Sequence, residues 1–201
     1  MEITELRQTK NDRYALTLDS GERFTVTLND VADFSLYTGR ELTEDELDAL
    51  RGAAALSRCK ERAMRIIGAR AMSERELYDR LVEKGETEQN AAATLAWLIG
   101  LHVLNDEDYA AMLVRHYSAK GYGARRIRDE LYRRKVPREL WDGALAEQPA
   151  QDDAIDRLLR SRLRGAEPGD RAAMKRASDA LLRRGFGWEE VKEAIERYQS
   201  E

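Results

Sequence analysis

The sequence repeats a helical pattern at an interval of 50 residues. A leucine and a following basic residue recur in three segments, SERELYDRLVEKG (73–85), GARRIRDELYRRK (123–135) and KRASDALLRRG (175–185). The equivalent positions are Leu81, Leu131 and Leu181, and Lys84, Arg134 and Arg184. A fixed interval of this length indicates stacked supersecondary units. With a further helix on each side of the repeated one, we predict three tandem three-helix modules at 58–104, 105–150 and 151–201, in an elongated, curved array.

Residues at the predicted helix ends support this assignment. Thr43-x-x-Glu46 and Ser73-x-x-Glu76 fit the capping box, and Asn105 precedes three carboxylates that favour the positive end of a helix dipole. Gly85 and Gly185 follow basic residues and predict left-handed helix caps.

The first 57 residues differ from the rest and form a predicted N-terminal extension. Arg13–Leu18 and Glu22–Leu28 alternate apolar and polar residues around Asp19-Ser20-Gly21, which predicts a β-hairpin over about 13–28. An acidic helical segment follows. The predicted fold class is therefore mainly α with a small N-terminal β-hairpin.

The composition indicates the cellular compartment of the protein and the kinds of partner it could bind. Cys59 is the only cysteine, so no intramolecular disulfide forms, and the N-terminus has no apolar signal core, which leads us to expect a cytoplasmic protein. The longest charge-free run, 89–105, is too short and polar to cross a bilayer, so we expect no membrane span, and separately we expect a monomer. The net charge is −4, yet residues 115–138 hold nine basic and two acidic residues and 157–184 hold nine basic and three acidic. Such basic stretches in an acidic chain favour contact with a polyanion or an acidic protein surface, although solvated helix faces remain the alternative.

The residue pattern argues against a metal site, a cofactor site or an enzyme. Asp106, Glu107 and Asp108 are consecutive and point in different directions on a helix, so helix capping is the better interpretation. Two histidines and one cysteine do not match zinc-site spacing, and we expect Cys59 to be a buried apolar side chain. No nucleophile–base pair is apparent.

Most of the aromatic residues considered are predicted to lie in the core, and for one of them, Tyr122, two interpretations remain. Periodicity predicts that Trp97, Tyr109 and Trp141 pack in the core. Gly121-Tyr122-Gly123 follows a helix without a third glycine, so it predicts a tight turn rather than a phosphate loop. Tyr122 has two alternatives, stacking on a base or partner side chain, or core packing.

The helix predicted over 123–135 carries too many arginines to bury. At 100° per residue, Ile127 and Leu131 face inward while Arg126 and Arg133 share one flank. We expect this helix to supply much of the contact to a partner, with weaker candidates on the third module. The full set of candidate binding residues is Lys120, Tyr122, Arg125, Arg126, Arg128, Arg133, Arg134, Lys135, Arg157, Arg160, Arg164, Arg183 and Arg184.

Several motifs resemble the RecX family of regulators of the RecA recombinase. They are Leu104-Asn105-Asp106-Glu107-Asp108-Tyr109-Ala110, the KGYG-x-x-x-I-x-x-EL run beginning at Lys120, Arg70-x-x-Ser73-x-x-Glu76-Leu77 with Lys84-Gly85, and Leu182-x-Arg184-Gly185-Phe186. The resemblance covers about 58–201, and the hairpin with Leu42–Leu47 resembles an N-terminal extension of some members. Two departures are Lys135-Val136, where the second repeat usually has Gly and a β-branched residue, and Gly123, where a Ser-type cap is missing.

This resemblance implies a non-enzymatic protein that binds RecA and lies in the groove of its filament on single-stranded DNA. It implies inhibition of the ATPase, strand-exchange and coprotease functions of RecA in recombination, DNA repair and the SOS response. Two alternatives stay open: a DNA-binding protein that competes for the strand, and a helical adaptor for an unrelated partner.

Overall fold

The computed structural model describes residues 1–10, 12–167 and 169–200. Its strands are β1 (Ile3–Gln8), β2 (Arg13–Leu18) and β3 (Arg23–Thr27). Its α-helices are α1 (Leu28–Asp33), α2 (Glu44–Ala69), α3 (Glu74–Glu83), α4 (Glu88–Gly100), α5 (Asp106–Ala119), α6 (Ala124–Arg133), α7 (Trp141–Ala146), α8 (Asp152–Leu163), α9 (Arg171–Arg183) and α10 (Trp188–Ser200). A 3₁₀ turn (Arg138–Leu140) precedes α7. The protein is mainly helical, as predicted.

The chain forms two compact units. The first comprises Met1–Arg70 and Leu77–Val103, and the second comprises Ala71–Glu76 and Leu104–Glu201. Helix α2 runs without interruption through residues 57 and 58, where the sequence suggests the end of the N-terminal extension. The extension and the first repeated segment therefore share one long helix.

The sheet of the first unit has three antiparallel strands in the order β1-β2-β3. The predicted hairpin is present, with Arg13 opposite Thr27 and Thr17 opposite Arg23. The prediction missed β1, which pairs with β2 and places Leu6 opposite Leu16. Alternate residues of the sheet are buried with leucines of α2, because successive side chains of a strand point to opposite faces.

Helix starts follow the predicted caps with one variation. Thr43 and Glu46 form a complete capping box at α2, and Asn105 Oδ1 accepts from the amides of Glu107 and Asp108 at α5. Ser73 Oγ accepts from the amide of Glu76 at 3.2 Å but donates its own proton to the carbonyl of Arg134 at 2.6 Å. One serine therefore caps α3 and contacts the end of α6.

The second unit has two cores formed by equivalent residues. Ile127 and Leu131 of α6 are buried against α5 and α7, whereas Leu181 of α9 is buried with Leu159 and Val191 of α8 and α10. Leu81 is fully buried in the same way on α3. The three leucines that define the repeat are thus core residues.

The ends of the repeated helices adopt the left-handed backbone that the glycines predict. Gly85 has φ 85° and Gly185 has φ 90°, and Lys135 takes the same conformation at φ 57° although it has a side chain. Gly123 lacks a side-chain cap, and its amide instead donates to the carbonyl of Arg184 at 3.0 Å. At the end of α3, Arg62 Nη1 donates to the carbonyl of Lys84 at 3.0 Å.

Candidate functional site

Helix α6 divides its basic side chains between a buried carboxylate and the solvent. Glu130 is almost fully buried, and its Oε1 accepts from Arg133 at 3.0 Å while Arg126 lies at 3.3 Å from it. The hydroxyl of Tyr117 donates to Glu130 Oε2 at 3.2 Å. Arg126 and Arg133 share a flank, as the helical spacing predicts, and this flank positions them against Glu130.

The opposite flank of α6 is more available to a partner. Arg128 forms an exposed ion pair with Asp142 at 3.2 Å. Arg125 is exposed, and its side chain makes no hydrogen bond or ion pair within the described residues. An exposed pair such as Arg128–Asp142 contributes little to stability, so both cations of this flank are accessible to an acidic surface.

Arg134 has a structural role. Burial alone would lower the pKa of its guanidinium, but a hydrogen bond with Tyr117 and the nearby Tyr109 and Glu76 outweigh this effect and raise it. Arg134 is half-buried, and its carbonyl accepts the Ser73 proton. We therefore separate Arg134 from the exposed candidates Lys135 and Arg125.

Tyr122 packs against its own chain. Its ring centroid lies 6.0 Å from that of Tyr117, and the Arg184 guanidinium lies 5.7 Å from the Tyr122 ring. Tyr122 is half-buried against the core that contains Leu131. Of the two alternatives for Tyr122, the structure supports packing within the fold, with Arg184 as its stacking partner.

A cleft of about 700 Å³, which we call the basic cleft, brings four cations together. Its walls are the end of α5, the first turns of α8 and the side chain of Arg184 at the end of α9. The four cations are Arg115, Lys120, Arg157 and Arg184, and Asp153 is the one carboxylate among the lining residues. Lys120, Arg157 and Arg184 are among the candidates predicted from the sequence, whereas Arg115 is not, although it begins the most basic stretch of the chain.

Other predicted candidates lie outside this cleft. Arg160 on α8, Arg164 just after α8 and Arg183 on α9 are exposed, and none of them lines the cleft. Of the candidate residues of the third repeat, the cleft therefore contains Arg157 and Arg184.

A second surface joins aromatic and basic side chains that sequence analysis did not identify as a site. The Arg138 guanidinium lies 5.9 Å from the Tyr132 ring and 5.7 Å from the Trp141 ring. Tyr132 is 65% exposed, and Trp141 is half-buried with its indole nitrogen donating to the carbonyl of Val136 at 3.0 Å. These residues line a groove of about 510 Å³ together with Arg133 and Lys135.

The remaining predictions about side chains have mixed outcomes. Cys59 and Tyr109 are buried, as predicted, and burial raises the pKa of the Cys59 thiol. Trp97 is only half-buried, with the Lys60 ammonium 5.1 Å from its ring. Asp106 was predicted to stabilise the start of its own helix, α5. It is also buried, and its Oδ1 accepts a hydrogen bond from the amide of Glu74 at the start of α3 at 2.9 Å.

Metal and membrane features are lacking in the part of the chain that the structure describes. No three His, Cys, Asp or Glu side chains of these residues are grouped so that they could hold a metal ion. Within the same residues, no helix combines the length and the apolar character needed to cross a membrane.

Comparison with known proteins identifies the repeated segments. Residues 59–98 match the model of the first three-helix domain of RecX, and residues 105–145 match that of the second. A regulatory protein RecX from Cronobacter sakazakii is 33% identical over 168 residues, which are 76% of this chain and 99% of that protein. One from Mycolicibacterium vanbaalenii is 32% identical over 76% of this chain and 86% of that protein.

Solved structures support the same fold. A crystal structure of a regulatory protein RecX has a TM-score of 0.78 at 23% identity and covers 97% of this chain and 98% of its own. The RecX structure from Lactobacillus salivarius has a TM-score of 0.67 at 20% identity, over 71% of this chain and 96% of its own. Because the chain is 33% and 32% identical to two regulatory proteins RecX and aligns with 99% and 86% of their lengths, it belongs to the RecX family of regulatory proteins.

Proposed function

We propose that the protein binds RecA and its filament on single-stranded DNA and inhibits the ATPase, strand-exchange and coprotease activities of RecA. It acts in the cytoplasm as a monomer, by binding and without chemistry of its own. Family membership supports the regulatory role. The observation that carries the proposed mode of binding is the accessible flank of α6, where the Arg125 side chain has no partner among the described residues and Arg128 has an exposed one.

The contact we propose is electrostatic. The long-range field of exposed cations accelerates their encounter with an acidic surface, and ion pairs at the solvent-exposed rim of an interface avoid the full cost of desolvation. Arg126 and Arg133 of the predicted set pair with Glu130 of their own helix, and Tyr117 of α5 bonds to Glu130 and to Arg134, so these cations already have partners within the fold. The binding surface is therefore narrower than the list of basic residues.

The direct test is the single-stranded-DNA-dependent ATPase of RecA from the same organism. We expect a dose-dependent decline at ratios well below one molecule of this protein per RecA, because one bound regulator affects many subunits of a filament. An unchanged ATPase rate at equimolar protein would contradict the proposal.

The second candidate function is direct binding to single-stranded DNA in competition with RecA. The exposed Tyr132 beside Arg138 favours this function, since aromatic and basic side chains together bind unpaired bases and phosphates. Binding to naked DNA that weakens steeply with added salt would support this function. Binding that requires the filament, with weak affinity for naked DNA, supports the RecA proposal.

A further inference from the structure

We propose that the basic cleft is a binding site for a phosphate group. The cleft lies between the end of α5 and the first turns of α8, with Arg184 reaching it from the end of α9. This inference does not depend on the RecA proposal, because the ligand binds to the protein alone.

The charges of the cleft favour an anion. Arg115, Lys120, Arg157 and Arg184 converge on it, and no carboxylate of the described residues pairs with any of them. Like charges gathered without matching acids repel one another, and an anion among them relieves this repulsion. Asp153 offsets only one of the four positive charges.

The internal contacts of these cations leave most of their donors free. Arg184 Nη1 makes only long contacts, 3.4 Å, with the carbonyls of Lys120 and Gly121. Arg157 uses its Nε on the carbonyl of Asp153 at 3.1 Å. A guanidinium has five N–H donors in a planar fork that matches the oxygens of a phosphate, so both residues can bind a ligand without losing these contacts.

A buried hydroxyl provides independent evidence for a ligand. Ser118 lines the cleft, is only 6% exposed, and its Oγ has no hydrogen-bond partner among the described residues. Buried polar atoms are nearly always paired, and a phosphate oxygen would accept the Ser118 proton.

The start of α8 adds positive potential on the same side. Gln151 is the N-cap residue and makes no side-chain capping bond to the first turn, and Gln151, Asp153 and Ala154 all line the cleft. The amino end of a twelve-residue helix carries partial positive charge that favours phosphate, and Asp152 and Asp153 in its first turn offset part of this charge.

The cleft thus binds a phosphate group. This group belongs either to a small molecule such as a nucleoside triphosphate or to the backbone of single-stranded DNA. The volume of about 700 Å³ is in the range of small-ligand sites, roughly 300–1,000 Å³. Both sources present the same oxygens to the cleft, and competition between them identifies which one binds.

The test is a titration of the full-length, ¹⁵N-labelled protein with sodium pyrophosphate at constant ionic strength, followed by NMR. We expect saturable shifts of the amide signals of Ser118, Gly121 and Ala154. Arg115→Gln and Arg157→Gln should each weaken binding about fivefold, since each removes a charge-assisted contact. Asp153→Asn should tighten binding, and the exposed Arg65→Gln on α2 should leave it unchanged.

Ser118→Ala distinguishes a ligand contact from a structural role. It should weaken pyrophosphate binding without lowering the thermal unfolding midpoint of the free protein, because the hydroxyl makes no hydrogen bond to any residue that the structure describes. A lower midpoint with unchanged binding would assign the hydroxyl to the fold and contradict this part of the site.

Competition assigns the source of the phosphate. Displacement of pyrophosphate by ATP but not by a thymidine oligonucleotide identifies a small ligand, and displacement by the oligonucleotide identifies the DNA backbone. The proposal would be overturned if no saturable shifts appeared up to about 10 mM pyrophosphate, a concentration well above the dissociation constant expected of a specific site. Equal binding by the wild-type protein and the Arg115→Gln and Arg157→Gln variants would also overturn it. RecA is absent throughout, so failure here leaves the RecA proposal to its own test.

Discussion

Gly123 lies so close to Gly185 that a Cβ atom added to Gly123 would overlap the backbone of Gly185. A Cβ atom on Gly185 would in turn overlap the backbone of Arg126. The amides of Gly123 and Arg125 donate to the carbonyls of Arg184 and Gly185, each at 3.0 Å. The start of α6 and the end of α9 therefore meet backbone to backbone.

We predict that Gly123→Ala destabilises the protein by about 2–3 kcal/mol, because backbone cannot move aside as a flexible side chain can. Chemical denaturation measures this change. The control is Gly143→Ala in α7, where an added Cβ meets no atom within 4 Å and alanine favours the helix. Similar stabilities for the two variants would contradict the close contact.

Lys135→Gly should stabilise the protein by about 1 kcal/mol, because a residue with a side chain is strained in the left-handed conformation that Lys135 adopts. Gly85→Ala, at the equivalent end of α3, should have the opposite effect. The urea midpoints of both variants against the wild type test the pair, and a loss of stability in Lys135→Gly would show that contacts of the lysine outweigh the strain.

Stability should depend on the ionisation of Asp106. Burial raises the pKa of this carboxyl above its ordinary 3.8, and burial followed by repulsion from Asp106 raises that of Glu74. The folded state therefore holds these protons more tightly than the unfolded state, so their contribution to stability is full below the ordinary pKa values and is lost as pH rises through the folded ones.

Asp106→Asn should remove the part of this dependence that Asp106 causes, and weaken the part due to Glu74, while keeping an oxygen to accept the Glu74 amide. We expect the stability of the variant relative to wild type to increase between about pH 4 and pH 7, measured by urea denaturation at each pH. Asp108→Asn serves as the control for losing one negative charge from the same helix start. A difference from wild type that stays constant with pH would refute this assignment.

Charge reversal on the accessible flank of α6 tests the proposed RecA contact. Arg125→Glu with Arg128→Glu should raise the concentration needed for half-inhibition of the RecA ATPase at least about tenfold, since attraction becomes repulsion. Arg58→Glu with Arg65→Glu, exposed on α2, makes the same change in net charge. Circular dichroism verifies that both double variants fold, and equal inhibition by the two would exclude this flank.

Local features of the fold could be predicted from the sequence because their causes are local. Capping by Thr43 and Asn105, the left-handed turn at Gly185 and the inward face of α6 all depend on residues within about one helical turn. Strand β1 was missed because only Ile3 and Leu6 are apolar in it, and its order depends on pairing with β2.

The candidate sites illustrate the same limit. Arg184 joins Lys120 in the basic cleft only because α9 ends against the start of α6, a contact between residues about 60 positions apart. Helical periodicity carries no information on such distant contacts. Helical periodicity likewise does not predict that Arg138 lies between Tyr132 and Trp141. Tyr132 belongs to α6 and Trp141 to α7, so their relative position depends on how the two helices pack.

The backbone carbonyls at the ends of the repeated helices α3, α6 and α9 differ in what they bind. Arg134 and Arg184 each accept a hydrogen bond from the start of the preceding repeated helix, through Ser73 and Gly123. The equivalent carbonyl of Lys84 is instead bound by Arg62, and the first amides of α9 are bound by the carboxylate of Asp170 at 2.9 Å. The two outer ends of the series are thus bound by side chains of the same molecule, and the repeated contact joins the starts of α3 and α6 to the ends of α6 and α9.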